Sequence, residues 1–158
     1  MDANILNQFI LAATSVFDRV ASLKLKKEAV SLFDTGTKVN ADVATLIGIT
    51  GHIRGQMVIT LNEEIAKKFA SAILMGEPVL EFAEMAESGV CEIANMIGGD
   101  AAQRLHSLGY TVDVAVPSII RGKPVEIGFQ PNTPVFMVGF SSDWGQINIV
   151  LRIEIVPK

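Results

Sequence analysis

With 158 residues, 49% of them hydrophobic and 19% charged, the chain can bury a substantial core in one domain spanning 1–158, which excludes wholesale disorder. A net charge of −4 and a pI near 5.1 leave no basic face for nucleic acid or an anionic membrane, and at 6% aromatic the chain offers no stacking platform for single strands. The single cysteine, Cys91, allows neither an internal disulfide nor a multi-cysteine metal site, so a reducing, cytoplasmic setting is expected.

In chain order, Ile5, Phe9, Ala12, Ala13 and Val16 recur at helical spacing and predict an amphipathic helix from Ala3 to about Ala21. Its apolar run FILAATSVF is too short to span a bilayer and follows Asp2 rather than a basic segment, so it is not read as a signal peptide. AVSLF (29–33) reads as a short strand. Within 43–61, VATLIGIT and GQMVITL form a hairpin bent around Gly51-His52-Ile53-Arg54-Gly55.

Asn62 is suited to cap the next helix, with Glu63 and Glu64 favourable against its dipole. Ile65, Phe69, Ala72 and Ile73 line one side of that helix, and Gly76 and Pro78 end it. A longer helix is expected from about Leu80 to Leu108, stopped by Gly109. Strands follow at YTVDVAVP, PVFMVGF and GQINIVLRIEI, the last two joined by a tight Ser142-Asp143-Trp144-Gly145 turn.

This order contains a repeat. GQMVITL at 55–61 matches GQINIVL at 145–151 at Gly, Gln, Ile and Leu, each after a hairpin bend, with Gly48 and Gly139 at nearly equal distances before it. The expected fold is α+β: a pseudo-symmetric, duplicated helix–strand–hairpin unit forming an antiparallel sheet with helices on one face.

The long helix carries an unusual stripe. At about 100° per residue, Ser88, Glu92, Asn95 and Gly99 fall within roughly 60°, while Ala86, Val90, Ile93, Ile97 and Ala101 gather on a separate apolar face. A solvated face is the ordinary explanation of such a Glu/Asn pair. Against it, Asn is a middling helix former, and Gly98-Gly99 costs roughly 1–2 kcal/mol of helix propensity relative to alanines. Glycine on the stripe leaves room for another backbone to approach. A carboxylate that grips a cation, beside an amide that both donates and accepts, suits a docking surface that orients water.

The arrangement Ser88-x-x-x-Glu92-x-x-Asn95 followed by Gly99 resembles the helix motif of the CheC/CheX/FliY phosphatases of bacterial chemotaxis. CEIANMIGGDAAQRL, GITGHIRGQMVITL, EEIAKKFASAILMGE and GYTVDVAVPSIIRG resemble the CheX branch especially. The resemblance implies a phosphatase acting on the aspartyl phosphate of a phosphorylated CheY-like receiver. Asn95 would orient the attacking water and Glu92 would pair with the receiver's active-site lysine. Ser88, at a motif position often held by Asp, would make a supporting contact, and Gly98 and Gly99 would allow close approach. The receiver brings the phosphoaspartate and Mg²⁺, so no cofactor or metal of the protein's own is expected. Neither a nucleic-acid nor a membrane partner is expected, and the resemblance further implies a homodimer.

Two-site relatives carry the motif on both symmetry-related helices. No Glu-x-x-Asn occurs in 1–22, and aligning Ala12-Ala13 with Gly98-Gly99 puts Leu6 and Phe9 at the positions of Glu92 and Asn95. One active site per chain is expected. The alternative is a non-catalytic module that docks a receiver through the same helix; a flagellar-switch component is a third reading.

Other groups carry less. Cys91 has no sequence-local base to lower its pKa, and neither His52 nor His106 belongs to a metal-binding pattern. The glycines of GITGHIRG lack the Lys-Ser/Thr of a phosphate-binding loop. Arg121-Gly122-Lys123 reads as a basic loop that could help hold an acidic partner, though a solvated turn explains it more simply.

Overall fold

A computed structural model describes residues 2–33, 38–79, 84–129 and 134–157. Helix α1 (Ala3–Ala21) starts where the Asp2 carboxylate accepts a hydrogen bond from Asn4 N at 2.8 Å, and ends at Ser22, which takes the left-handed conformation at φ 51°. Helix α2 (Glu63–Ile73) is capped as expected by Asn62, whose side chain accepts from Ile65 N at 2.8 Å. Helix α3 (Glu84–Ser107) is the long helix, and the expected start at 80–83 lies outside the described residues. Gly109, at φ 92°, follows its end.

The strands are β1 (Lys26–Phe33), β2 (Lys38–Gly51), β3 (Ile53–Leu61), β4 (Val112–Val114), β5 (Ser118–Gly128), β6 (Val135–Ser141) and β7 (Ile147–Ile155). They form one antiparallel sheet in the order β1-β6-β7-β3-β2, with β5 and β4 both paired to β2. The three helices cover one face. Phe9, Phe17, Phe69 and Ile97 pack there against Ile47, Met57, Ile59, Phe140, Ile149 and Leu151. A smaller cluster around Ala44, Val58, Val135 and Val150 lies on the other face.

The register makes the duplication physical. Ile59 of β3 pairs with Ile149 of β7, and these are the fifth residues of the two matching heptapeptides. A pseudo-twofold axis therefore passes between them. Edge strands are exchanged across it: β1 of the first unit pairs with β6 of the second, while β5 of the second pairs with β2 of the first. One expected equivalence does not hold. Gly139 pairs with Asn148, which matches Val58, and Val58 pairs with Leu46; Gly139 thus corresponds to Leu46 rather than Gly48.

Other differences concern the bends. The first hairpin turns at His52 alone, because Gly51 at φ 112° reverses the chain and Ile53 already belongs to β3. Imidazole Nδ1 of His52 accepts from Thr111 N at 2.9 Å, and His52 backbone groups bond Thr111 and Val156, so this histidine knits three segments together. YTVDVAVP contains only the short β4. The strand expected there in the second unit is instead SIIRGKPVEIG, whose Gly122 and Pro124 hide it in the sequence. Pairing with β2 shifts register between Ala41 and Val43, which accommodates the proline at the sheet's edge. Arg121-Gly122-Lys123 is therefore strand, not loop.

The Ser142–Gly145 turn forms as expected. Gly145 N donates to Ser142 O at 3.1 Å, and Ser142 Oγ donates to Gly145 O at 2.8 Å. This seats Trp144 5.1 Å from Phe69, which stacks on Phe17 at 4.7 Å and so ties the turn to α1 and α2.

Candidate active site

Helix α3 is anchored on three sides, and what remains free is the polar stripe. Toward α2, Gly89 meets Ala70. Toward the sheet, Gly98 is buried, and a Cβ there would lie 3.5 Å from Ile47 and Val114. Ala86, Val90, Ile93, Ile97 and Ala101 are all buried, as their spacing predicts. Ser88, Glu92 and Asn95 are exposed, and Gly99 is half-buried with nothing within 4 Å of an added Cβ.

The structure therefore brings Ser88, Glu92, Asn95 and Gly99 together on one open face and turns Gly98 away from it. Open space on the stripe lies at Gly99, whereas Gly98 faces β2 and β4, where an added Cβ would make ordinary contacts. Among the described residues, neither the Glu92 carboxylate nor the Asn95 amide is engaged in a hydrogen bond or ion pair. A carboxylate and an amide held rigidly one helical turn apart, with free valences, can grip a cation and orient a water molecule on the same visiting surface.

Two ion-pair groups border the stripe. On the β5 side, Arg121 Nε lies 3.3 Å from the Glu87 carboxylate. On the α1 side, Asp100 pairs with Arg19 at 3.1 Å and with Arg104 at 2.5 Å. The Asp100–Arg104 pair is legible as i,i+4 in the sequence, but Arg19 and Arg121 come from distant elements and leave no such sign. Cys91 is half-buried beside Glu87; burial first, then the Glu87 charge, pushes its thiol above the usual cysteine range. The thiolate, its nucleophilic form, is thereby disfavoured. Among the described residues, no group of three or more His, Cys, Asp or Glu is arranged to hold a metal, and no helix is long and apolar enough to cross a membrane.

Helix α1 offers no second copy of the stripe. Phe9 is 1% exposed whereas Asn95 faces solvent, so aligning Ala12-Ala13 with Gly98-Gly99 does not superpose the two helix faces.

Comparison with known proteins places these features in a family. Residues 43–141 match the model of the chemotaxis phosphatase CheX family. The CheY-P phosphatase CheX of Thermotoga maritima is 31% identical over 127 residues, 80% of this chain and 81% of that protein. The crystal structure of the chemotaxis protein CheX from Vibrio vulnificus superposes with a TM-score of 0.86 at 31% identity, covering 96% of this chain and all of that one. The fold is shared also with the protein in the CheX–CheY–BeF3–Mg²⁺ complex of Borrelia burgdorferi, with a TM-score of 0.77 at 23% identity over 94% of this chain and 97% of that one. With the family model spanning most of the sheet and all of α2 and α3, the chain belongs to the CheX family of chemotaxis phosphatases.

Proposed function

We propose that this protein accelerates hydrolysis of the aspartyl phosphate on a phosphorylated CheY-like receiver, with Asn95 orienting the attacking water. The observation that carries the reading is the exposed, unengaged Glu92–Asn95 pair on the buried-faced helix α3, beside the open Gly99. Hydrolysis of an acyl phosphate asks mainly for in-line placement of water and neutralisation of charge. The Asn95 amide performs the first without changing protonation state. Glu92 pairs with the receiver's lysine and anchors α3 over the phosphate; Ser88 supports that contact one turn earlier.

The receiver supplies the phosphoaspartate, its lysine and Mg²⁺, and this chain contributes no nucleophile. Support for the partner comes from the Thermotoga relative's designation as a CheY-P phosphatase and from the complex of the Borrelia protein with CheY, BeF3 and Mg²⁺. The setting is cytoplasmic, in keeping with a lone, unpaired cysteine, and the functional unit is a homodimer, a reading that rests on family resemblance. Light scattering would test the latter by giving twice the 17.0 kDa chain mass.

The activity test follows decay of a phosphorylated receiver with and without this protein. Acceleration that depends on Asn95 supports the reading. Unchanged decay at saturating protein, across the receivers of the source organism, overturns it. Tight binding without acceleration would instead establish the alternative, a non-catalytic receiver-binding module.

A further inference from the structure

The charges along α3 are segregated. Its first half carries Glu84, Glu87 and Glu92; Arg121 pairs with Glu87, while the carboxylates of Glu84 and Glu92 stay exposed. Its second half is bordered by two guanidiniums that share a single carboxylate: Arg19 from α1 and Arg104 from α3 both bind Asp100. One carboxylate cannot neutralise two guanidiniums, so these three groups keep a net positive charge on the α1 side of the stripe, in a protein whose total is −4.

Position and exposure make this charge available. Asp100 follows the open Gly99 and stands about 80° around the helix from Glu92, on the α1 side of the stripe, with Arg104 about 120° from Glu92. Its side chain is only 16% exposed and is held by both arginines, whereas Arg19 is 59% exposed, so the tie leaves much of the Arg19 guanidinium facing solvent. Glu92 and Arg104 are separated by about 18 Å along the helix axis, within the span of one docked domain.

We infer that Arg19 and Arg104, aligned by Asp100, form a second contact for the same receiver and recognise an acidic side chain on its surface beyond the phosphorylation site. This deepens the proposed function and rests on it. A negative contact at Glu92 and a positive one at Arg19/Arg104 admit the partner in a single direction along α3, because the reversed pose opposes like charges at both ends. Asp100 is then a positioning residue: it presents the guanidiniums without touching the receiver.

The experiment measures KM and kcat of receiver dephosphorylation for wild type, Arg19→Gln, Arg19→Gln/Arg104→Gln and Asp100→Asn at several salt concentrations. In parallel, calorimetry measures their affinity for receiver loaded with beryllofluoride and Mg²⁺, which reads the contact without turnover. Arg19→Gln is expected to raise KM and weaken binding three- to tenfold, and the double variant more. Their salt dependence should be shallower than that of wild type, with kcat falling less than twofold. Asp100→Asn should raise KM less than the double variant does.

Affinity, KM and salt slope indistinguishable from wild type, even if melting temperature falls, overturn the second contact and leave the cluster structural. Wild type that binds the loaded receiver but does not hydrolyse the phosphorylated one removes the phosphatase reading alone. Wild type that does neither removes both.

Discussion

Gly89 of α3 crosses Ala70 of α2 so closely that a Cβ built on the glycine falls 2.9 Å from Ala70 Cα and 3.1 Å from Ala70 Cβ. The three glycines of this helix thus answer to different neighbours. Gly89→Ala must push α2 away, and its expected cost of about 1–3 kcal/mol from overpacking outweighs the roughly 1 kcal/mol gained in helix propensity. Gly98→Ala makes only ordinary contacts and should be tolerated. Gly99→Ala meets nothing in the free protein and should raise stability by up to about 1 kcal/mol, yet weaken receiver turnover by intruding on the docked partner. Denaturant unfolding beside phosphatase assays on all three variants checks this ordering.

Glu92 and Asn95 should separate kinetically. Both are exposed and unengaged, so alanine at either is expected to change stability by no more than about 0.5 kcal/mol. Asn95→Ala should cut turnover about a hundredfold or more while leaving receiver affinity within a few-fold, because loss of water placement acts on the chemical step. Glu92→Ala should weaken receiver binding about tenfold, the scale of one charge-assisted hydrogen bond. Calorimetry with a beryllofluoride-loaded receiver, set beside single-turnover decay, distinguishes the two.

Backbone geometry makes Gly55 the least replaceable residue of the first hairpin. It sits at φ 146°, and an added Cβ would lie 1.9 Å from the Arg152 carbonyl oxygen on β7. Gly55→Ala is expected to cost on the order of 3 kcal/mol or more, by driving apart the central β3–β7 pair. Gly76→Ala, at φ 93° but in open space, should cost only the conformational strain of about 1–2 kcal/mol. Thermal melts of the two variants provide the comparison.

Cys91 supplies a prediction with a sign. Burial and the Glu87 carboxylate both disfavour the thiolate and raise its pKa in the folded chain. Iodoacetamide at mildly alkaline pH should therefore modify it more slowly than a free cysteine, and unfolding should restore the ordinary rate. By linkage, the raised value contributes stability that is complete below the ordinary thiol range and is lost as pH rises through the folded value. Stability should fall less steeply in that alkaline window for Cys91→Ser. The same variant should keep its phosphatase activity.

Much of the architecture was legible because period and punctuation agree locally. The buried residues of α1 and of α3 recur at helical spacing, Asn62 caps α2, and the heptapeptides around Ile59 and Ile149 match because they pair across one axis. The strand β5 was not legible. Gly122 and Pro124 interrupt its pattern, and it forms because β2 has an unpaired edge to receive it and a register shift accommodates the break. No property of 118–128 taken alone states that such an edge exists.

For the site the division is similar. Projection at the helical period places Ser88, Glu92, Asn95 and Gly99 on one stripe, since positions along a single helix are related by geometry that needs no partner. The family resemblance grouped Gly98 with Gly99 as clearance, but packing of α3 onto β2 and β4 gives one a buried neighbour and leaves the other in open space. Arg19 lies on α1, far from Asp100 in the sequence, and Arg121 on β5; folding brings each to a different border of α3. By itself the sequence determined which residues α3 offers outward, because a helix repeats every few residues. Only the tertiary structure decided what stands beside them, because those neighbours are joined to α3 through the sheet rather than along the chain.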